Sequence, residues 1–299
     1  MNISTHKRTA GGVVLLNKPA GITSFQALYP VKKALPGKKI GHTGTLDKFA
    51  SGLLVILAGP FTRLNQLFTN FDKAYRAVFT FGTQTDTLDP SGTVIKTARA
   101  PDEVKIRGNL DKFRGEIFQI PPEYSAVHVN GNRAYQLARN GRKVDIPPRK
   151  IRIDEFSLIN TSGEDAEFFI RCSKGTYIRA LARDLGNVCG SAAYVTKLER
   201  VTLGPFSLEG AVSPEDFDPS LHLITPKAFL SKIPGIRNLQ VSESEKNRIS
   251  HGTPPQLVLG ELTAPVLFAV FGPDSEFTAL IDNTSKKTKY LFVIPPEGK

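Results

Sequence analysis

The 299-residue sequence predicts an α+β protein, a large first unit followed by a small second one. Short β-branched or alternating runs bounded by turn residues recur along it, as at Gly12–Leu16 and Asp72–Phe81. One stretch follows a different period: Ile178, Leu181, Ala182, Leu185 and Val188 recur at helical spacing. A proline-rich stretch from Ser207 to Pro234 then joins the first unit, 1–234, to the second, 235–299.

The elements follow in order. Met1–Ala10 is polar and reads as a loose terminus. The run GVVLL reads as a strand ending in the turn cluster Asn17–Gly21. Thr23 or Ser24 caps a helix reaching about Leu35, which Pro30 must kink or interrupt. Leu53–Leu57 is a continuous apolar run, a buried strand or a buried helical turn. In Asp72–Phe81, Tyr75, Ala77, Phe79 and Phe81 share one face of a strand. In the turn-rich Gly82–Gly92, Asp86 and Asp89 read as Asx-turn residues that order the loop. Residues 101–120 read as helical and end in a strand. Pro121–Lys150 is rich in Arg and Lys and interleaved with Tyr124, His128 and Tyr135. It holds a short helix over about 133–140, stopped by Gly141. Its composition suits RNA contact better than a solvated hairpin. Ile151–Ile159 and Glu167–Cys172 read as strands, and the second unit as a short polar helix with several short strands.

The charge is +11, with a pI of about 9.6, and it is unevenly placed. Residues 240–299 hold six Lys/Arg against seven Asp/Glu, so the basic surplus belongs to the first 239 residues. Such a body expects a polyanionic partner, nucleic acid before membrane. Cys172 and Cys189 are the only cysteines and no Cys/His cluster occurs, which argues against structural zinc and for buried thiols in a reducing, cytoplasmic setting. No apolar run approaches the roughly 20 residues of a membrane span, and no segment reads as a signal peptide.

The stretch GHTGTLDKFASGLLVIL, Gly41–Leu57, concentrates the chemistry. On its own, an aspartate such as Asp47 before a mixed run is most often a helix N-cap. The whole string resembles the GHxGTLDPxAxGxL signature of pseudouridine synthases of the TruB type. Asp47 matches the aspartate that carries their catalysis. Lys48 departs from the family's proline, so the turn lacks the rigidity a ring would supply.

Further segments match in family order. LLNKPAGITS resembles LxxDKPxGxTS, which gives Lys18 a supporting role. KAYRA resembles KxYxA/V, whose tyrosine, here Tyr75, stacks on the target base. KGTYIRALARDLG resembles xGTYIRxLxxDLG, which implies that Arg179 pairs with the catalytic aspartate and that Tyr177 packs against the target nucleotide. Independently, an arginine at a helix N-terminus opposes the dipole and needs a carboxylate or phosphate nearby. GSAAYVTKLERVTLGPF resembles GxxAxxxxLRRTxxGPF, placing Leu198 near the base, with Glu199 and Val201 departing from the pattern. His42, inside the signature, is carried over as a substrate contact.

The resemblance covers about residues 12–234. It implies a catalytic domain built on a mixed, mostly antiparallel sheet with flanking helices. It also implies an RNA-gripping thumb at about 121–150 and, more weakly, a small mainly β, PUA-like RNA-binding domain at 235–299. The implied reaction is conversion of uridine to pseudouridine in the T-loop of tRNA, position 55 in tRNA numbering. That reaction needs no cofactor or metal, and the chain has neither GxGxxG after a strand nor GxxxxGK[ST]. The alternatives are a non-catalytic RNA-binding protein, which would need neither Asp47 nor Arg179, and the guide-RNA-dependent relatives, which generally carry lysine-rich extensions. The plain ending PPEGK favours stand-alone action on the T-loop and stem of tRNA, with no protein partner or guide RNA.

Overall fold

In the computed structural model, residues 11–296 are described apart from 126, 130–131, 135, 137–144 and 286. A large sheet runs in the order β1-β3-β12-β4-β11-β10-β7. Its strands are β1 (Gly12–Lys18), β3 (Ser51–Ala58), β4 (Lys73–Phe81), β7 (Gly115–Gln119), β10 (Arg149–Ser162), β11 (Asp165–Cys172) and β12 (Ala193–Leu203). Short β2 (Ile40–His42) adds to β3, and β13 (Phe206–Ser207) adds to β12, while β5 (Thr83–Thr85) pairs with β6 (Val94–Thr97) and β8 (His128–Val129) with β9 (Asn132–Arg133) outside this sheet. Every pairing is antiparallel except β12 with β3, so the sheet is mixed and mostly antiparallel, as expected.

At the parallel crossing, Gly52 faces Arg200 with φ +99. A Cβ there would lie 2.5 Å from the Arg200 carbonyl oxygen, so only glycine lets the two backbones approach.

The apolar run Leu53–Leu57 is a strand whose two faces are both covered. Leu54 and Ile56 enter the main core with Val14, Leu16, Phe79 and Leu181. Leu53, Val55 and Leu57 enter a second core on the opposite face. Burial on both faces explains a run without alternation. β4 alternates instead: Tyr75, Ala77, Phe79 and Phe81 are buried, while Arg76 is exposed and Val78 and Thr80 are half-buried.

Thr23 caps the first helix, Ser24–Ala27, through a capping box with Gln26. Pro30 falls at the start of a second helix, Tyr29–Ala34, so the predicted single helix is two. The Ile178–Val188 helix packs its buried side chains on β12 and β4. Gly186 lets it close on β12, since a Cβ there would sit 2.8 Å from the Ala193 amide. No helix of the described residues is long and apolar enough to cross a membrane.

A second sheet, β14-β15-β16-β17, follows the proline-rich stretch. Its strands are Ile236–Gln240, Leu267–Phe271, Phe277–Asp282 and Lys289–Val293, and helices Glu243–Ser250 and Pro255–Leu259 accompany it. The sheet does not stand apart. Ala269, Phe271, Phe277, Leu280 and Phe292 share one core with Val13, Leu53, Val55 and Leu57, and Phe229, Leu230 and Ile233 of the join fill it. Phe61, fully buried, lies at its centre with ring centroids 5.3 Å from Phe229, 5.1 Å from Phe277 and 5.9 Å from Phe292.

The predicted helix at 133–140 falls mostly outside the described residues, and Tyr135 lies outside them too.

Because Phe61 bridges the two sheets, Phe61→Ala is expected to cost about 3–5 kcal/mol. Urea denaturation should show one shared transition at lower denaturant. Loss of the second sheet alone, with the body's midpoint unchanged, would contradict a common core.

Candidate active site

Asp47 lies on a loop between β2 and β3, with no helix for it to cap. Three buried polar side chains hold this loop. Ser24 Oγ donates to the Leu46 carbonyl at 3.0 Å and accepts from the Leu46 amide at 2.9 Å. Lys18, fully buried, donates to the carbonyls of Pro19 (2.9 Å), Ile22 (2.9 Å) and Ala50 (2.6 Å). Arg200, 1% exposed, donates through Nε to the Leu53 carbonyl at 2.8 Å and through Nη2 to the Gly44 carbonyl at 3.1 Å. The Gly21 amide also donates to the Lys48 carbonyl at 2.8 Å. The turn that lacks proline is therefore pinned through its carbonyls.

Arg179 enters from the first turn of the Ile178–Val188 helix. Its Nε donates to Asp47 Oδ2 at 2.8 Å, and Nη2 lies 3.3 Å from Oδ1, a two-point contact. Nη1 donates to the Thr87 carbonyl at 2.8 Å and lies 3.5 Å from Asp89 Oδ2. Nη2 also donates to the Tyr124 carbonyl at 3.1 Å. A guanidinium has five N–H donors in a fixed fork, and here five oxygens face it. The Arg179 side chain is 6% exposed and that of Asp47 is 38%, so the cation is sealed and the carboxylate is open. The anion that a basic residue at a helix start requires is thus a pair of aspartates. Gln119 steadies this helix start, accepting from the Tyr177 amide at 2.9 Å and donating to the Tyr177 carbonyl at 3.1 Å.

Asp89 has two roles. Its Oδ1 accepts from Thr87 Oγ1 at 2.7 Å, the Ser91 amide at 3.0 Å and Ser91 Oγ at 2.5 Å, the loop-ordering role expected. Its Oδ2 faces Arg179. Asp86 Oδ1 accepts from the amides of Thr87 and Thr93, both at 2.8 Å, and stays structural. Leu88 between them has φ 61, a left-handed conformation rare for leucine, with its side chain buried.

These groups open onto a cavity of about 1210 Å³. Asp47, Tyr75, Tyr177, Arg179 and Leu198 all line it, as do Asp89, Tyr124 and Ser125. Ser125 Oγ is buried with no hydrogen-bond partner among the described residues. A volume above the roughly 300–1,000 Å³ of ordinary small-ligand pockets leaves room beyond a single base. Tyr75 is 8% exposed, and burial pushes its hydroxyl up to about 12, so it stays neutral near pH 7.

Two candidates lie off the lining. Lys18 sits behind it, where burial lowers its pKa to about 8 against the pull of Asp47. His42, half-buried in β2, accepts from the Gly44 amide through Nδ1 at 3.4 Å. Burial and then Arg200 hold its ring below the usual pKa, hence neutral at pH 7. Among the described residues no group of His, Cys, Asp and Glu is arranged to hold a metal ion.

Sequence reasoning missed the second partner of Arg179, Asp89, and the role of Arg200. For Asp89 the available signal was its place in a loop resembling the family's GxxTDTxDxxG. Arg200 is the fully buried residue two positions beyond Leu198 and paired across strands with Tyr75.

Residues 32–178 match the family described as TruB family pseudouridylate synthase (N terminal domain). The chain is 41% identical over 242 residues to tRNA pseudouridine synthase B of Borreliella burgdorferi (strain ZS7), covering 80% of this chain and 83% of that one. It is 43% identical over 225 residues to tRNA pseudouridine synthase B of Bordetella avium (strain 197N), covering 73% and 90%. In fold it is similar to a chain in the crystal structure of a Cbf5-Nop10-Gar1 complex, with TM-score 0.68 and 23% identity, covering 95% of this chain and 85% of that one.

Lysine in place of Arg179 keeps the charge but cuts the donors from five to three. Arg179→Lys is expected to speed amide exchange across residues 86–91 and to lower stability by about 1–3 kcal/mol. Hydrogen exchange and urea denaturation read these effects. Unchanged exchange in that loop would mean the guanidinium does not hold it.

Proposed function

Because the chain belongs to the TruB family of pseudouridylate synthases, we propose that its target is the T-loop uridine of tRNA, position 55 in tRNA numbering, with Asp47 as nucleophile. It isomerises uridine to pseudouridine in tRNA, the activity for which its relatives are named. The observation that carries the assignment of Asp47 is its pairing with a sealed Arg179 at the wall of a nucleotide-sized cavity.

In the reaction the N1–C1′ bond breaks, the uracil turns, and C5 bonds to C1′. The C5 proton leaves and N1 gains one, so no electron is transferred and no redox cofactor is consumed. The target base must first leave its stack. Tyr75 presents its ring to that base, while Leu198 and Tyr177 form the apolar wall that keeps the detached uracil in place. Arg179 holds Asp47 aimed through a two-point contact, and Asp89 anchors the far side of the guanidinium. Lys18 fixes the backbone beneath Asp47. His42, neutral and off the cavity lining, contacts the RNA outside the cavity. The second sheet meets the tRNA away from the target, and the basic thumb at 121–150 grips it. The chain acts in the cytoplasm without a guide RNA or protein partner.

The direct test is incubation of the purified chain alone with unmodified tRNA, followed by mapping of pseudouridine. Product at position 55 is expected. Product elsewhere only, or product that requires an added guide RNA or protein, would overturn the proposal.

Asp47→Asn is nearly isosteric but removes the carboxylate. It should abolish turnover while tRNA affinity stays within a few-fold, read by single-turnover kinetics beside filter binding. Surviving product would remove Asp47 from the chemistry.

Tyr75→Phe keeps the ring and loses a hydroxyl that remains protonated up to about 12. The single-turnover rate should fall, while the shape of the pH–rate profile from roughly pH 6 to 9 stays the same, because the hydroxyl does not titrate there. A limb that vanishes in the variant would show that Tyr75 titrates within that range.

A further inference from the structure

Phe25 and Tyr29 are 69% and 70% exposed, although they sit on the two short helices that build one wall of the core. The inner faces of those helices bury Ala27, Leu28, Val31 and Leu35. Leu28, between the two helices, keeps right-handed helical backbone at φ −76 and ψ −18, so Phe25 and Tyr29, four residues apart, stay on one outward side. Lys32 continues that face, its Nζ 4.3 Å from the centroid of the Phe25 ring. The patch begins at the mouth of the active-site cavity, since Gly21 and Thr23 line the cavity and Thr23 caps the helix that carries Phe25.

The charge along this part of the chain has one sign. From Met1 to Leu46 the sequence contains no Asp or Glu, and Asp47 is the first acidic residue of the chain. Lys32, over the Phe25 ring, is exposed, as are Lys33 and Lys39 further along the same stretch. Exposed aromatic faces bordered by a cation match a ligand that offers flat π-surfaces and negative charge together. A single strand of nucleic acid offers both, its bases stacking on the rings and its phosphates meeting the lysines. An apolar protein partner would leave the lysines unmatched.

We propose that the Phe25–Tyr29 face is a stacking platform for an unpaired nucleotide of the RNA strand whose neighbouring uridine enters the cavity. This rests on the functional reading above and extends it to residues that no segment of the family resemblance uses. The platform holds the strand beside the cavity and contributes to affinity, while the chemistry stays with Asp47.

The chain contains no tryptophan, so Phe25→Trp creates a single fluorescent reporter at an exposed position. Unmodified tRNA should quench that emission over the same concentrations that give a mobility shift, because stacking on a base quenches indole. Phe25→Ala combined with Tyr29→Ala should weaken tRNA binding roughly tenfold or more while leaving the salt dependence and the single-turnover rate at saturating tRNA unchanged. Lys32→Ala combined with Lys33→Ala should instead lower the slope of log affinity against log salt by about 0.7 for each phosphate that the lysines no longer neutralise. Unquenched emission at saturating tRNA, or unchanged affinity in the double alanine variant, would overturn the platform, and a protein ligand for this face would produce both results. Failure of the wild-type chain to form pseudouridine would overturn the functional reading. Quenching and mobility shift need no turnover, and they still decide the platform in that case.

Discussion

Three buried cations hold the site together. Lys18, Arg179 and Arg200 are 0%, 5% and 1% exposed. A cation removed from water must place its donors on acceptors or destabilise the fold. Here the acceptors are largely main-chain carbonyls, all but Leu53 of β3 in irregular segments: Pro19, Ile22 and Ala50 for Lys18, Gly44 and Leu53 for Arg200, Thr87 and Tyr124 for Arg179. The loops around the cavity have little regular secondary structure to order them. The demand of the cations for oxygen atoms supplies that order instead.

This arrangement lets a carboxylate sit on a loop and still be placed as if on a rigid element. Asp47 borrows its position from β1 through Lys18, from β12 through Arg200, and from the Ile178–Val188 helix through Arg179. The sheet brings these three supports together because β3 lies between β1 and β12. Gly52 makes the last approach possible, at the crossing where no side chain fits between the strands.

Much of this was legible in the sequence where the signal is local. Alternation identified the buried face of β4, helical spacing identified Ile178–Val188, and a charge opposing a helix dipole at Arg179 demanded an anion. Motif resemblance brought Asp47, Tyr75, Tyr177 and Leu198 together before any coordinates did. Local reading fell short where one group serves two distant partners. Asp89 looks complete as a turn residue because one of its oxygens is satisfied within two residues, and only tertiary structure brings Arg179 to the other. Arg200 carried no local sign of burial, since its acceptors lie about 150 residues earlier in the chain. The core shared by the two sheets was equally invisible, because each contributing phenylalanine has an adequate local reading within its own strand or helix.

That shared core has a consequence for the order in which the chain acquires its structure. Val13 and Phe292 belong to one cluster, so contacts of the first strand are completed by the last one. Contacts at such sequence separation form late and slow folding. During synthesis the outer face of β1 and β3 emerges early and is only partly covered, by Phe61, Phe68 and the join, until β15, β16 and β17 have followed. For that interval the growing chain exposes Val13, Leu53, Val55 and Leu57 along paired strands, the kind of apolar surface that chaperones recognise and that drives aggregation. The last strands, far in sequence from the catalytic aspartate, therefore act as the closing cover of the element that carries it.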